Sequence, residues 1–123
     1  PVEDVEFKGV CPFHGDCLEG LAGGPAISAR WGATLSDLPP THPAHDRVAG
    51  YLAQACHTLF ASTSVETVVL GGGVLETPNL RERIAARTRE LDAGYLPGGT
   101  RHTIVAPRLG SRSGIIGAMI LAT

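Results

Sequence analysis

Excess charge of one sign, long apolar runs and paired cysteines are all missing from this sequence, and each absence removes a class of protein. Ten basic and 12 acidic residues leave a net charge of −2. Such a chain has no basic field to draw nucleic acid or an anionic membrane. The longest apolar run, Gly114 to Ala122, falls far short of the roughly 20 residues that span a bilayer. The chain opens on acidic PVEDVEFK, not on a basic start followed by an apolar stretch, so no secretory signal is read. Three cysteines are an odd count, which argues against a disulfide framework and points to a reducing, cytoplasmic compartment. Two nucleotide fingerprints are also missing. No GK[ST] follows a glycine-rich turn, and no GxGxxG occurs, so neither a P-loop nor the dinucleotide motif is present. The stretch Gly110-Ser111-Arg112-Ser113-Gly114 carries Arg112 where a serine-hydrolase elbow needs its nucleophile, so that motif fails as well.

What is present fits one domain: 123 residues, 43% hydrophobic and 18% charged. The chain starts at Pro1 without a methionine and is expected to be a piece of a longer polypeptide. The 16 glycines and nine prolines cluster at GLAGGP, LPPTHP, GGG and LPGG, which predicts helices joined by loops with special backbone positions. A short helix is expected from about Cys17 through CLEGLA, and Gly23-Gly24-Pro25 should break it and start a second over AISARW. In segment 44–62, Val48, Tyr51, Leu52, Ala55, Cys56, Leu59 and Phe60 recur at helical spacing as one apolar stripe. VETVVL (65–70) predicts a buried strand. Thr77-Pro78 predicts an N-cap and first helical residue. The helix after it carries Leu80, Ile84, Arg87, Thr88 and Leu91 and is expected to be amphipathic with an arginine-rich outer face. HTIVA (102–106) predicts a second strand. The last helix, 112–122, is apolar on nearly all sides and is expected to be buried. Strand, helix, strand make a β-α-β unit, and two strands are few for a sheet. Further strands are expected from a missing segment or another chain.

Three places carry candidate chemistry. Cys11-Pro-Phe-His14-Gly-Asp-Cys17 puts two thiols and an imidazole at three-residue spacing on a loop turned by Pro and Gly, which reads as a zinc clamp offering three of four ligands. The alternative is a loop with two buried thiols. Gly71-Gly72-Gly73 follows an apolar strand. There the bare backbone admits a flat ligand, at the strand end where α/β sheets bind them. A tight strand-to-helix turn explains the same residues. Glu19, just past the clamp, is placed either to accept from ligand hydroxyls or to complement a helix N-terminus.

Taken together, GVCPFHGDCLEGLAGGPAISARWG, LPPTHPAHDRVAGYLAQ, VETVVLGGGV and LGSRSGIIGAMILA resemble, in order along nearly the whole chain, the fructokinase branch of the ROK (repressor, open reading frame, kinase) family of sugar kinases. The resemblance implies an α/β fold: an incomplete C-terminal lobe of the actin-like, ribonuclease H-like type, mostly helical with two short strands and a zinc loop. It divides the chain into a zinc loop (1–17), helices (18–62) and a β-α-β-α nucleotide-side unit (65–122). It implies an ATP- and magnesium-dependent kinase that converts fructose to fructose 6-phosphate, acting as a homodimer on a sugar and an adenine nucleotide. By this likeness Cys11, His14 and Cys17 ligate structural zinc, with a fourth, histidine ligand lying before Pro1. Glu19 contacts the sugar, and Pro25, Gly71, Gly72, Gly73, Val74 and Leu75 line the nucleotide. The phosphate-binding segment, catalytic aspartate and Glu-x-Gly-His sugar motif of the family are expected upstream, on a missing N-terminal lobe. Without them these residues carry no catalytic group and are expected to be inactive alone. Ser111-Arg112-Ser113 departs from the family's usual Asp-Asn-Ala. A sugar-sensing repressor of the same family and a small zinc-stabilised interaction module are the alternative readings.

Overall fold

A computed structural model describes residue 4 and residues 6–122. The elements run α1 (Leu18–Ala22), α2 (Gly24–Trp31), α3 (Pro43–Thr63), β1 (Thr67–Val69), α4 (Leu80–Asp92), β2 (Thr103–Val105) and α5 (Ser113–Leu121), with short 3-10 turns between several of them. The architecture is mostly helical with two parallel strands, in register Thr67 with Thr103, Val68 with Ile104 and Val69 with Val105.

The 21-residue α3 is the spine. Pro43 pre-sets its first turn, and the ring of His42 caps it, with Nδ1 accepting from the Ala44 N–H at 3.1 Å. Its face of Ala44, Val48, Tyr51, Ala53, Cys56 and Phe60 is buried. α4 packs along it through Leu80, Ile84 and Thr88, and Leu21 and Ile27 bring α1 and α2 into the same core. Burying side chains of this size contributes about 1.5–3 kcal/mol each. Leu59, counted in the apolar stripe, lies exposed at the edge of that face.

Four expectations are corrected. The strand expected over 65–70 is shorter and one-sided: Val68 is buried while Val69 is 59% exposed. Only one face of the pair meets helices, although Leu70 N–H to Val105 O (2.9 Å) and Thr103 N–H to Glu66 O (2.8 Å) lengthen the ladder at both ends. Thr77 and Pro78 do not start α4. A 3-10 turn, Gly73–Glu76, takes up the residues after the strand, and Asn79, in left-handed geometry (φ 64°), is the N-cap. Leu91, read with the residues of the amphipathic helix, is exposed and Asp92 is buried, because the helix face turned to α3 reads 80, 84, 88, 92. Finally, α5 is not buried. Ile115 and Met119 stand open and Leu121 is 89% exposed, because an all-round apolar helix needs partners on several sides. Among the described residues α5 packs chiefly on the turn that leads into it.

Candidate metal loop and nucleotide-side turn

The loop from Lys8 to Cys17 is knotted by its own backbone. Cys11 N–H donates to Gly15 O (3.3 Å), Gly15 N–H to Cys11 O (2.9 Å) and Val10 N–H to Gly20 O (3.0 Å). Gly9 has φ +76°, and a Cβ there would sit 2.0 Å from the Gly15 carbonyl oxygen, so no other residue fits. This folding gathers the three expected ligands. The Sγ atoms of Cys11 and Cys17 and a ring nitrogen of His14 all lie within 4.8 Å of one another. Cys11 Sγ is 3.8 Å from His14 Nδ1 and accepts from the His14 N–H at 3.4 Å. Tetrahedral zinc, with Zn–S near 2.3 Å and Zn–N near 2.0 Å, spaces sulfur and nitrogen ligands roughly 3.6 Å apart, so the donor set fits with little movement. The backbone N–H groups of His14 and Phe13, and then the Cys17 thiol, hold the Cys11 thiol below its ordinary 9.0, which favours the metal-binding thiolate. The cysteines are half-buried, His14 is exposed, and Phe13 beside it projects into solvent.

An anchor that sequence reasoning missed ties down the lead-in to this loop. Arg30 of α2 donates to both oxygens of Asp4 (2.6 and 3.0 Å) and to Tyr51 Oη (3.2 Å). Its guanidinium also lies 5.0 Å from the Phe7 ring centre and 4.8 Å from that of Trp31. The partners are 26 and 21 residues away in sequence, and no local pattern announces such a pairing.

Glu19 follows on the single turn of α1, exposed. Among the described residues its carboxylate makes no hydrogen bond or ion pair. One residue, Gly23, separates α1 from α2, where Pro25 stands exposed in the first turn.

The triple glycine leaves the carboxyl end of β1. Gly72, at φ 106° and ψ 167°, adopts a conformation open to glycine alone. A cavity of about 450 Å³ joins this turn to α2 and the loop after it. Gly73 and Val74 line one side, and Gly24, Ser28 and Thr34 the other. The structure thus brings the residue next to Pro25 against the glycine turn. Leu75 points into the core instead. Arg81, read as part of a solvated face, reaches back so that Nε donates to the Leu70 carbonyl at 3.1 Å and pins the turn. Arg83 holds Asp46 (2.7 Å) and the Pro40 carbonyl (2.8 Å).

The profile of the ROK family matches residues 1–123. The chain belongs to the ROK family. A protein named fructokinase from Zymomonas mobilis is 40% identical over 98% of this chain and 41% of its own length. A putative fructokinase of Bacillus subtilis is 39% identical over 97% of the chain and 42% of its own length. A fructokinase of Pediococcus pentosaceus is 38% identical over 95% and 41% respectively. The chain therefore spans about two fifths of the length of these relatives. Within the described residues of this ROK chain, no helix is long and apolar enough to cross a membrane.

Proposed function

We propose that the chain is the C-terminal part of an ATP-dependent fructokinase, which transfers the γ-phosphoryl of ATP to a sugar hydroxyl. The observation that carries this reading is the cavity between the start of α2 and Gly73-Val74 of the glycine turn, past the strand end where α/β sheets take ligands. Pro25 and the turn form one wall for the adenine nucleotide. Cys11, His14 and Cys17 hold zinc, which when bound supplies a cross-link of the loop and no chemistry on the substrate. Glu19, on the helical turn after the clamp, accepts hydrogen bonds from sugar hydroxyls. Magnesium, the phosphates and the base that takes the hydroxyl proton require residues outside these 123, on an upstream lobe. The exposed apolar faces of α5 and the sheet are covered by that lobe and by a second copy in a homodimer.

A coupled assay with fructose, ATP and magnesium tests the division of labour. The 123-residue chain alone should show no turnover, and activity should appear when the upstream half is supplied. Turnover by the chain alone, abolished by Glu19→Gln, would place the catalytic machinery here and refute it. An inactive full-length protein would refute the kinase reading itself.

A further inference from the structure

A cavity of about 320 Å³ opens between α3, α4 and the segment leading into β2. It lies beside His102, at the amino ends of the strands, whereas the glycine turn leaves their carboxyl ends. Nothing in the kinase reading uses it.

Its floor holds Asp92, whose side chain is 9% exposed. Asp92 Oδ1 accepts from His57 Nε2 at 3.1 Å and from the Leu96 N–H at 3.2 Å. A carboxylate donates nothing, so the shared proton sits on His57 Nε2. Oδ2 accepts no hydrogen bond from any described residue. It faces Gly99, where a Cβ would lie only 2.9 Å from it. An ionised carboxylate has about four lone-pair sites, and the described residues use only those on Oδ1. The remaining wall is largely apolar. The Phe60 ring stacks on His102 at 4.2 Å and 1°, Ala85, Leu96 and Ile104 add apolar surface, and His57, Thr88 and Arg89 also line the cavity. The volume sits at the low end of small-molecule sites, which run from about 300 to 1,000 Å³. A single-ring molecule fits. For an acceptor of this kind a charged donor outcompetes a hydroxyl, since charge-assisted hydrogen bonds are roughly twice as strong as neutral ones. Arg89 stands on the rim, exposed, where solvent screens its repulsion.

We infer that this cavity is a second ligand site, for a small organic cation whose ammonium group donates to Asp92 Oδ2 and whose single apolar ring lies against Phe60, Leu96 and Ile104. The inference does not rest on the kinase reading and is tested on the chain itself. Benzylamine, benzyl alcohol and benzoate are titrated in turn, with the Leu96 and Gly99 amide signals in NMR as reporters. Benzylamine should shift both saturably and bind about ten-fold tighter than the alcohol, and benzoate should not bind. Asp92→Asn, which turns the free acceptor into a donor while leaving one oxygen for Leu96, should bring benzylamine down to the alcohol's affinity. Gly99→Ala, whose methyl covers Oδ2, should abolish binding while the rest of the spectrum is kept, and it carries the test if Asp92→Asn fails to fold. No shift at millimolar benzylamine, equal binding of the three probes, or unchanged binding in the variants would overturn the assignment.

Discussion

Gly20 and Gly50 both lie inside helices, yet the same substitution should move them in opposite directions. Alanine is favoured over glycine in a helix interior by about 0.8–1.0 kcal/mol. At Gly50, midway along α3, an added Cβ meets nothing within 4 Å, so that preference acts alone. Gly50→Ala should stabilise by about 1 kcal/mol, a rise in Tm of roughly 3–5 °C for a domain of this size. At Gly20, in α1, the Cβ would lie 2.0 Å from the Gly15 carbonyl oxygen, 2.9 Å from Cys11 Cβ and 3.0 Å from Cys11 N. Most of those atoms are backbone, so the loop must retreat by about an ångström to restore ordinary contact. Retreat strains the bonds Cys11 N–H to Gly15 O and Val10 N–H to Gly20 O, each contributing about 0.5–1.5 kcal/mol. Overpacking adds about 1–3 kcal/mol. Against these the helix gain is small, since α1 is a five-residue helix. The net is a loss of about 1–5 kcal/mol.

The displaced residue is Cys11, whose Sγ must stay near His14 Nδ1, 3.8 Å away. Zinc affinity should therefore fall by about 10–100-fold, the usual effect of disturbing the support of a metal ligand. Thermal unfolding of both variants, with and without zinc, and zinc competition against a chromophoric chelator measure both effects. A Gly20→Ala protein as stable as Gly50→Ala, holding zinc as tightly as the parent, would refute the described packing of the loop on α1.

Two further outcomes are expected. Hydrogen bonds from Arg30 hold the Asp4 carboxyl below its ordinary 3.8, against the opposing effect of burial. With the folded value below the unfolded one, the stabilisation is complete above the unfolded value and is lost as pH falls through the folded value. In urea unfolding, the gap between the parent and Asp4→Asn should be constant above about pH 5 and narrow below about pH 4; a gap that ignores pH would remove the ion pair from the account. The thiols should also separate by reactivity. Burial pushes Cys56 above its ordinary 9.0 while the loop amides lower Cys11, so iodoacetamide on the native metal-free chain should mark Cys11 and spare Cys56 in peptide mapping. Equal labelling would contradict the buried placement of Cys56.

The parts legible in the sequence are those whose cause is local. The α3 stripe shows because Val48, Tyr51, Cys56 and Phe60 keep helical spacing against one core face. The Cys-His-Cys cluster shows because its three residues sit within one seven-residue loop, and the glycine turn because nothing but glycine accepts the backbone at Gly72. The hidden parts depend on partners that spacing cannot name. The start of α4 lies at Asn79 because an unannounced 3-10 turn uses Gly73–Glu76. Asp92 looks like a helix-end acid, and its burial is set by His57, 35 residues earlier. The apolar character of α5 is plain in the sequence, but periodicity reports a demand for burial and not the surface that meets it.

The candidate site divides into two units held in different ways. Clamp, Glu19 and Pro25 succeed one another within a single short stretch, joined through Gly23, so a cross-link at Cys11, His14 and Cys17 acts directly on the helical turn that carries Glu19. α1 is too short to hold itself and enters the core mainly through Leu21 and Ala22, with Glu19 on its open side. α2 has independent anchors: buried Ala26 and Ile27 on one side, and Arg30 gripping Asp4 and Tyr51 on the other. The glycine turn is pinned separately by Arg81 on the Leu70 carbonyl. The wall between α2 and Gly73 therefore stands on core packing and ordinary hydrogen bonds, whereas the orientation of Glu19 rests on the folded loop before it. In the proposed enzyme the zinc loop thus belongs physically to the sugar side of the site, and the nucleotide side needs no metal in the protein to keep its shape.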